Sequence, residues 1–244
     1  MKVHYIQTDI VWADPEANLD SLERVFADIP EVDLYVLPEM FTTGFATVPE
    51  GVAEENLTGL GWMKSMAARR NCAIAGSIST KDGGRFYNRF YFVTPEWERH
   101  YDKHHLFTYS GEHLRYTAGN EQVTVEWRGV RFRLIVCYDL RFPAWMRNGG
   151  ENPYDVLLCV ASWPAPRAEA WKTLIRARAI ENQCFVVAVN RHGSDPACVY
   201  TGDSAIIDPW GRDVPNGSVL DLDGLKVFRE KFPVLQDADK IQLI

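Results

Sequence analysis

The segment Val156-Leu157-Leu158-Cys159-Val160-Ala161 constrains the fold more than any other stretch of the chain. A strand with one wet face alternates apolar and polar residues, and this run does not alternate. It therefore reads as a strand buried on both faces, which requires a sheet covered above and below. Runs of the same character recur at 72–77, 131–137 and 185–190, and further strands are expected at 3–8, 34–37, 87–93, 204–207 and 218–221. The 244 residues suffice for such a core, because a chain of this length buries roughly 70% or more of its unfolded surface.

Between the apolar runs lie helical patterns. Asp14-Pro15 is an N-cap followed by proline at the first helical position, and Leu19, Leu22, Phe26 and Ile29 follow with helical spacing until Pro30 ends the helix. A second helix is expected over 58–70. A third, over 166–183, carries Trp171, Leu174, Ile175 and Ala179 on one face. Strands and helices in alternation imply an α/β architecture. No low-complexity tract or Pro/Gly-rich linker interrupts it, so residues 1–244 read as a single domain. In open α/β sheets, functional groups gather just past the carboxyl ends of strands.

Charge and cysteine usage narrow the function. The formal net charge is -7, whereas nucleic-acid and anionic-membrane binders need a basic face. No apolar run reaches the 18 or so residues that a membrane span requires, and the first residues lack the apolar core of a signal peptide. The five cysteines are scattered, with no CxxC pair, as in a reducing compartment. The expected location is the cytoplasm. No GxGxxG, P-loop, HExxH or Cys/His cluster calls for a nucleotide or metal, so no cofactor is expected.

Three strand ends carry chemistry. In Leu34-Tyr35-Val36-Leu37-Pro38-Glu39-Met40-Phe41 a carboxylate follows an apolar strand, flanked by apolar residues. An ordinary surface glutamate fits this segment, and so does a desolvated carboxylate with its pKa raised toward that of a general base. In Tyr101-Asp102-Lys103-His104-His105-Leu106-Phe107 the lysine is solvated on the simplest reading, and the paired histidines are incidental or supporting. Glu112 follows in a glycine-containing loop. In Leu134-Ile135-Val136-Cys137-Tyr138-Asp139 an apolar strand turns polar immediately after a cysteine. Buried cysteines are mostly packing, and Cys159 and Cys184 fit that description. Cys137 instead sits where a strand-to-turn junction exposes a nucleophile, and a helix beginning near Phe142 would add its positive end.

Taken together, Leu-Pro-Glu39-Met-Phe, Tyr-Asp-Lys103-His-His and Val-Cys137-Tyr-Asp-Leu-Arg-Phe-Pro resemble the nitrilase superfamily of carbon–nitrogen hydrolases. The likeness continues through Arg178-Ala-Ile-Glu-Asn, Val189-Asn-Arg and Gly202-Asp-Ser-Ala-Ile-Ile-Asp-Pro-Trp-Gly211, nearly the whole chain. It implies a four-layer αββα sandwich, a homodimer formed through helices, and a catalytic set of Glu39, Lys103 and Cys137 supported by Glu112. Phe-Thr-Thr-Gly-Phe after Glu39, Gly-Glu-His-Leu-Arg-Tyr-Thr-Ala-Gly-Asn and Ala-Ser-Trp-Pro-Ala-Pro-Arg are most similar to the omega-amidase branch, which implies a small-molecule amide such as 2-oxoglutaramate or 2-oxosuccinamate as substrate. The tail after about Pro233 matches nothing in the family.

On this reading the Tyr138 N–H joins Lys103 as an oxyanion donor, Trp163 either walls the pocket or packs in the core, and Arg141, Arg167 or Arg176 either pairs the substrate carboxylate or sits in a structural ion pair. Three alternatives remain open. The same machinery serves nitriles or N-carbamoyl groups, an inactive relative keeps the fold as a scaffold, and a papain-like hydrolase would need His192, the only histidine after Cys137.

Overall fold

The computed structural model of the protein describes residues 1–150 and 152–239. Residues 240–244 of the unmatched tail lie outside the described residues. The first half of the chain builds a five-stranded sheet from β1 (Val3–Tyr5), β2 (Leu34–Val36), β3 (Ala73–Asp82), β4 (Arg85–Val93) and β5 (Glu98–Asp102), in that spatial order. The second half builds a six-stranded sheet from β6 (Thr124–Trp127), β7 (Val130–Val136), β8 (Val156–Ala161), β9 (Phe185–Asn190), β12 (Ala205–Ile207) and β13 (Asp213–Val214), ordered β13-β12-β9-β8-β7-β6. A small hairpin, β10 (His192–Ser194) with β11 (Val199–Thr201), stands apart. The sheets share one pattern. β1, β2 and β3 run parallel and continue into antiparallel β4 and β5, as β7, β8 and β9 do into β12 and β13.

Strand pleating explains the layers. Leu34 and Val36, Ala73 and Ala75, and Phe90 and Phe92 face the second sheet and share its core with Phe132, Leu134 and Val136. Their alternate neighbours Tyr35, Ile74, Tyr91 and Val93 face outward, onto Leu22 and Phe26 of α1 (Pro15–Asp28) and Met63 and Met66 of α2 (Thr58–Arg70). The outer face of the second sheet is covered by Trp171, Ile175 and Ala179 of α3 (Ala168–Glu181) and by Leu225 of α4 (Leu222–Lys231). Helices, sheet, sheet and helices give four layers, with both sheets buried on both faces. The Asp14 carboxylate caps α1 by accepting from Ala17 N at 3.0 Å.

Two expectations need correction, and several elements carried no clear signal. Residues 218–221 form no strand; Val219 makes a single bridge with Lys2. The edge strands β5 and β6 were not expected, because Glu98-Arg99-His100 is polar and exposed, and β6 buries only Val125 and Trp127. The amphipathic α4, capped by Asp221 on Gly224 N at 2.9 Å, was hidden by its charge and a glycine. The helix placed near Phe142 is only a 3-10 turn over Pro143–Met146, and another, over Cys137–Arg141, precedes it. With so short a helix, its dipole contributes little at the cysteine.

Candidate active site

The carboxyl ends of both sheets meet at one cluster. Glu39 sits three residues past β2, in a turn fixed by Met40 N donating to the Ser77 hydroxyl at 2.9 Å, with Met40 itself at a φ of 45°. Lys103 directly follows β5. Its backbone N–H donates to the Asn88 carbonyl, and its own carbonyl accepts from Gly119 N, each at 3.0 Å. Gly119 is required there, because a Cβ would collide with the Asp102 carbonyl. Glu112 opens a short 3-10 turn and accepts from Phe107 N at 2.6 Å.

Glu39, Lys103 and Glu112 are all fully buried. Lys103 Nζ donates to Glu39 Oε1 at 3.0 Å and to both Glu112 oxygens at 2.9 and 3.2 Å. The Asn88 amide donates to Glu39 Oε1 at 2.7 Å and Glu112 Oε1 at 3.2 Å, and Ser162 N donates to Glu39 Oε2 at 2.7 Å. Burial works against the ammonium, but the neighbouring Glu112 and Glu39 carboxylates more than offset it and hold the Lys103 pKa above its ordinary value. Burial raises the Glu112 pKa against the opposing pull of Lys103. Ions removed from water persist only when paired and hydrogen-bonded in this way.

Cys137 directly follows β7 and adopts a φ of 46°, a left-handed conformation that turns the chain sharply. Asp139 holds the turn from inside: its buried carboxylate accepts from Val136 N, His105 N and the Tyr101 hydroxyl at 3.0, 2.8 and 2.8 Å, and contacts His105 Nδ1 at 2.9 Å. Arg178 fixes the other end with two hydrogen bonds to the Leu140 carbonyl, at 3.0 and 2.7 Å. Protein surrounds the sulfur although part of the residue opens outward. Burial, then Glu39, pushes the thiol well up from its ordinary value, while Lys103 and the Ser162 N–H oppose them. The thiol thus rests protonated beside a carboxylate and an ammonium.

Outward from the sulfur, a small pocket is lined by Tyr138, Arg141, Ser162, Trp163 and Arg167, with Phe45, Phe107 and Pro164. Trp163 is anchored by the Asn190 side chain, which accepts from its N–H at 2.7 Å and donates to its carbonyl at 3.0 Å. The Arg141 guanidinium lies 4.7 Å from the Trp163 ring centre and that of Arg167 5.5 Å from the Phe107 ring centre. Arg176 is elsewhere, paired to Asp213 at 2.7 Å. His192 is exposed on the β10 hairpin. Among the described residues, no three His, Cys, Asp or Glu side chains group so as to hold a metal ion, and no helix is long and apolar enough to cross a membrane.

Comparison with known proteins agrees with this geometry. Residues 2–219 match the model of the carbon–nitrogen hydrolase family. The chain belongs to that family. This carbon–nitrogen hydrolase is 44% identical to the omega-amidase YafV of Escherichia coli K12, over all of this chain and 98% of the relative. It is 37% identical to the 2-oxoglutaramate amidase of Bacillus subtilis, over 96% of each. The crystal structure of XC1258 from Xanthomonas campestris, a CN-hydrolase superfamily protein with an arsenic adduct in its active site, superimposes with a TM-score of 0.94 at 40% identity, covering 100% and 98% of the two chains. The four-layer architecture is therefore the nitrilase-type fold.

Of the residues singled out in the sequence, Glu39, Lys103 and Glu112 form one hydrogen-bonded cluster, of which Glu39 and Lys103 influence the Cys137 thiol, while Tyr138, Arg141 and Trp163 line the pocket beside Cys137. Sequence reasoning missed Asn88, Asp139, Ser162 and Phe45. Asn88 had a signal, as a polar residue within the aromatic run Phe86–Phe92. Ser162 acts through its backbone and had none.

Proposed function

We propose that this carbon–nitrogen hydrolase is an omega-amidase, cleaving the terminal amide of a small dicarboxylic acid monoamide such as 2-oxoglutaramate or 2-oxosuccinamate to acid and ammonia. The observation that carries the reading is the junction of two environments: a buried Glu39–Lys103–Glu112 cluster acting on the Cys137 thiol, and a small pocket whose cations await an anion. The names of the two bacterial relatives point the same way.

The chemistry follows from the resting protonation. Because the thiol is held neutral, its proton must leave as the sulfur attacks the amide carbon, and Glu39 is the base that takes it. Glu39 Oε1 already accepts from Lys103 and Asn88, whereas Oε2 accepts only from the Ser162 N–H, so Oε2 is the oxygen with room to receive the proton. The oxyanion of the tetrahedral adduct takes hydrogen bonds from Lys103 and from the Tyr138 N–H; removing one such donor costs about 100- to 1,000-fold in rate. Collapse breaks the C–N bond, and Glu39 returns its proton to the departing nitrogen, which leaves as ammonia. A water molecule then gives a proton to Glu39 and attacks the thioester, releasing the acid and regenerating the thiol. Glu112 holds Lys103 throughout, and Arg141 pairs the substrate's free carboxylate.

A panel of 2-oxoglutaramate, 2-oxosuccinamate, an N-carbamoyl amino acid and a simple nitrile tests the assignment. A preference above about tenfold in kcat/KM for either of the last two overturns it. Stoichiometric alkylation of Cys137 with no turnover of any amide points to a scaffold instead.

The same reading includes a homodimer formed through the helical layer. Ile180 of α3, Trp210, and Val227 and Phe232 at α4 are all exposed, and the Trp210, Phe228 and Phe232 rings adjoin, with ring centres 4.3 and 6.2 Å apart. Such a patch is typical of an interface. A monomer by light scattering at micromolar concentration rules it out.

A further inference from the structure

The pocket holds one cation more than a substrate carboxylate requires. Arg141 and Arg167 each present a guanidinium over an aromatic wall of the same pocket. Among the described residues neither forms an ion pair, and neither guanidinium donates to any protein acceptor. Other arginines packed against the body of the protein are engaged: Arg89 with Asp102, Arg178 with Leu140 and Glu181, Arg191 with Asp9, and Arg229 with Asp155. Each guanidinium carries five N–H donors in a rigid fork, and one fork saturates a carboxylate edge. With Arg141 on the carboxylate, Arg167 is left with donors and a charge but nothing on the protein to meet them.

Resting on the omega-amidase reading, we propose that Arg167 is a specificity-determining residue that reads the substituent on the carbon next to the substrate carboxylate. It accepts an oxygen there and rejects an ammonium. An oxo or hydroxyl oxygen supplies the missing acceptor, within a few ångströms of the carboxylate that Arg141 holds. An ammonium on that carbon supplies only donors and meets two like charges in a partly desolvated site. Like charges a few ångströms apart in a partly desolvated site repel strongly enough to weaken affinity by up to about a hundredfold before water screens part of it. Substrate choice between a 2-oxo acid amide and the corresponding amino acid amide is then set by Arg167, remote from the reacting bond. The buried cluster at the sulfur plays no part in that choice.

Three four-carbon substrates with the same scissile amide test this: 2-oxosuccinamate, succinamate and asparagine. The wild-type protein is expected to rank them in that order by kcat/KM, with asparagine at least about tenfold below succinamate. In Arg167→Gln the succinamate-to-asparagine ratio narrows toward unity and the advantage of the oxo group shrinks. In Arg167→Lys, which keeps the charge but not the fork, the bias against asparagine persists while the oxo advantage falls. Unfolding midpoints confirm that both variants are folded. A wild-type protein that hydrolyses asparagine as well as succinamate, or an Arg167→Gln variant with undiminished discrimination, overturns the inference and leaves the omega-amidase assignment standing. Failure to hydrolyse any of the three or 2-oxoglutaramate, with Cys137 still open to alkylation, overturns both.

Discussion

The two ends of the active-site cleft treat charge in opposite ways. At the end built by the first sheet, Glu39, Lys103 and Glu112 are fully buried and already paired with one another, with Asn88 and with Ser162 N. At the end built by the second sheet, Arg141 and Arg167 are half-buried and lie against aromatic rings, with no carboxylate beside them among the described residues. The difference corresponds to two tasks. A group that passes a proton back and forth must return to the same state after each half-reaction, so its surroundings are fixed in advance. A group that selects a substrate must be left incomplete until the substrate arrives. If this division holds, mutations at the first end change kcat and stability, and mutations at the second change KM and substrate choice.

The largest effect is expected at the groups that exchange the proton. Replacing Glu39 with Gln preserves shape but removes the proton acceptor, so kcat falls by about 100- to 10,000-fold with little change in KM. Cys137→Ser falls at least as far, and undiminished turnover in it would remove the sulfur from the mechanism altogether. Steady-state kinetics on one 2-oxo acid amide separate these outcomes. An equal change in kcat and KM for Glu39→Gln would mean that the two ends are not functionally distinct.

Next in size is the stability cost of opening the buried cluster. Lys103→Met leaves two buried carboxylates without their cation, and breaking a buried ion pair by removing one partner typically costs 3–5 kcal/mol. The urea midpoint of Lys103→Met should drop accordingly. Lys103→Met/Glu112→Gln, which also removes one orphaned charge, should recover part of the loss. No recovery would show that the two carboxylates are independently solvated, against the burial of both. By contrast, Arg141→Ala should leave the midpoint nearly unchanged while raising KM by about 10- to 100-fold, the range for losing a charged hydrogen-bonded contact. A lost midpoint in Arg141→Ala would make it a structural residue.

The sequence carried this division unevenly. Lys103 follows a polar segment and stood out only through the resemblance carried by Tyr-Asp-Lys-His-His. Glu39 and Cys137 were legible because each follows an apolar strand abruptly, and strand ends are where an α/β fold gathers its chemistry. The doubly buried strands were legible for the same reason, and β8 and β9 have the boundaries that their apolar runs imply. What stayed hidden depends on partners distant in sequence. Arg141, Arg167 and Arg176 were equivalent candidates, and only the fold shows that Arg176 meets Asp213, 37 residues away, while the other two enter the pocket. Asp139 looked like any polar residue after a turn until Tyr101 and His105, brought in by the first sheet, closed on it. Edge strand β5 was missed because it buries only Tyr101 fully, yet it delivers Lys103.

The smallest predicted effect separates Cys137 from a cysteine in the core of the same sheet. Cys184, just ahead of β9, is fully buried, and burial pushes its thiol up to about 12 from an ordinary 9.0. A folded-state pKa above the unfolded one means that the unfolded chain loses its proton first. The stabilising contribution is therefore complete below about pH 9 and is lost as pH rises toward 12. Between pH 8 and 10 this single group should cost about 1 kcal/mol of folding stability. Urea midpoints measured at both pH values should thus differ less in Cys184→Ala than in the wild type, whatever the cavity costs at either one. Cys137 is also held protonated, but its turn opens on the pocket, so it should react with iodoacetamide in the folded protein under conditions where Cys184 does not. Equal labelling of the two thiols would mean that the core opens as readily as the cleft, and the contrast between a fixed interior and an unfinished pocket would fail at the level of single sulfur atoms.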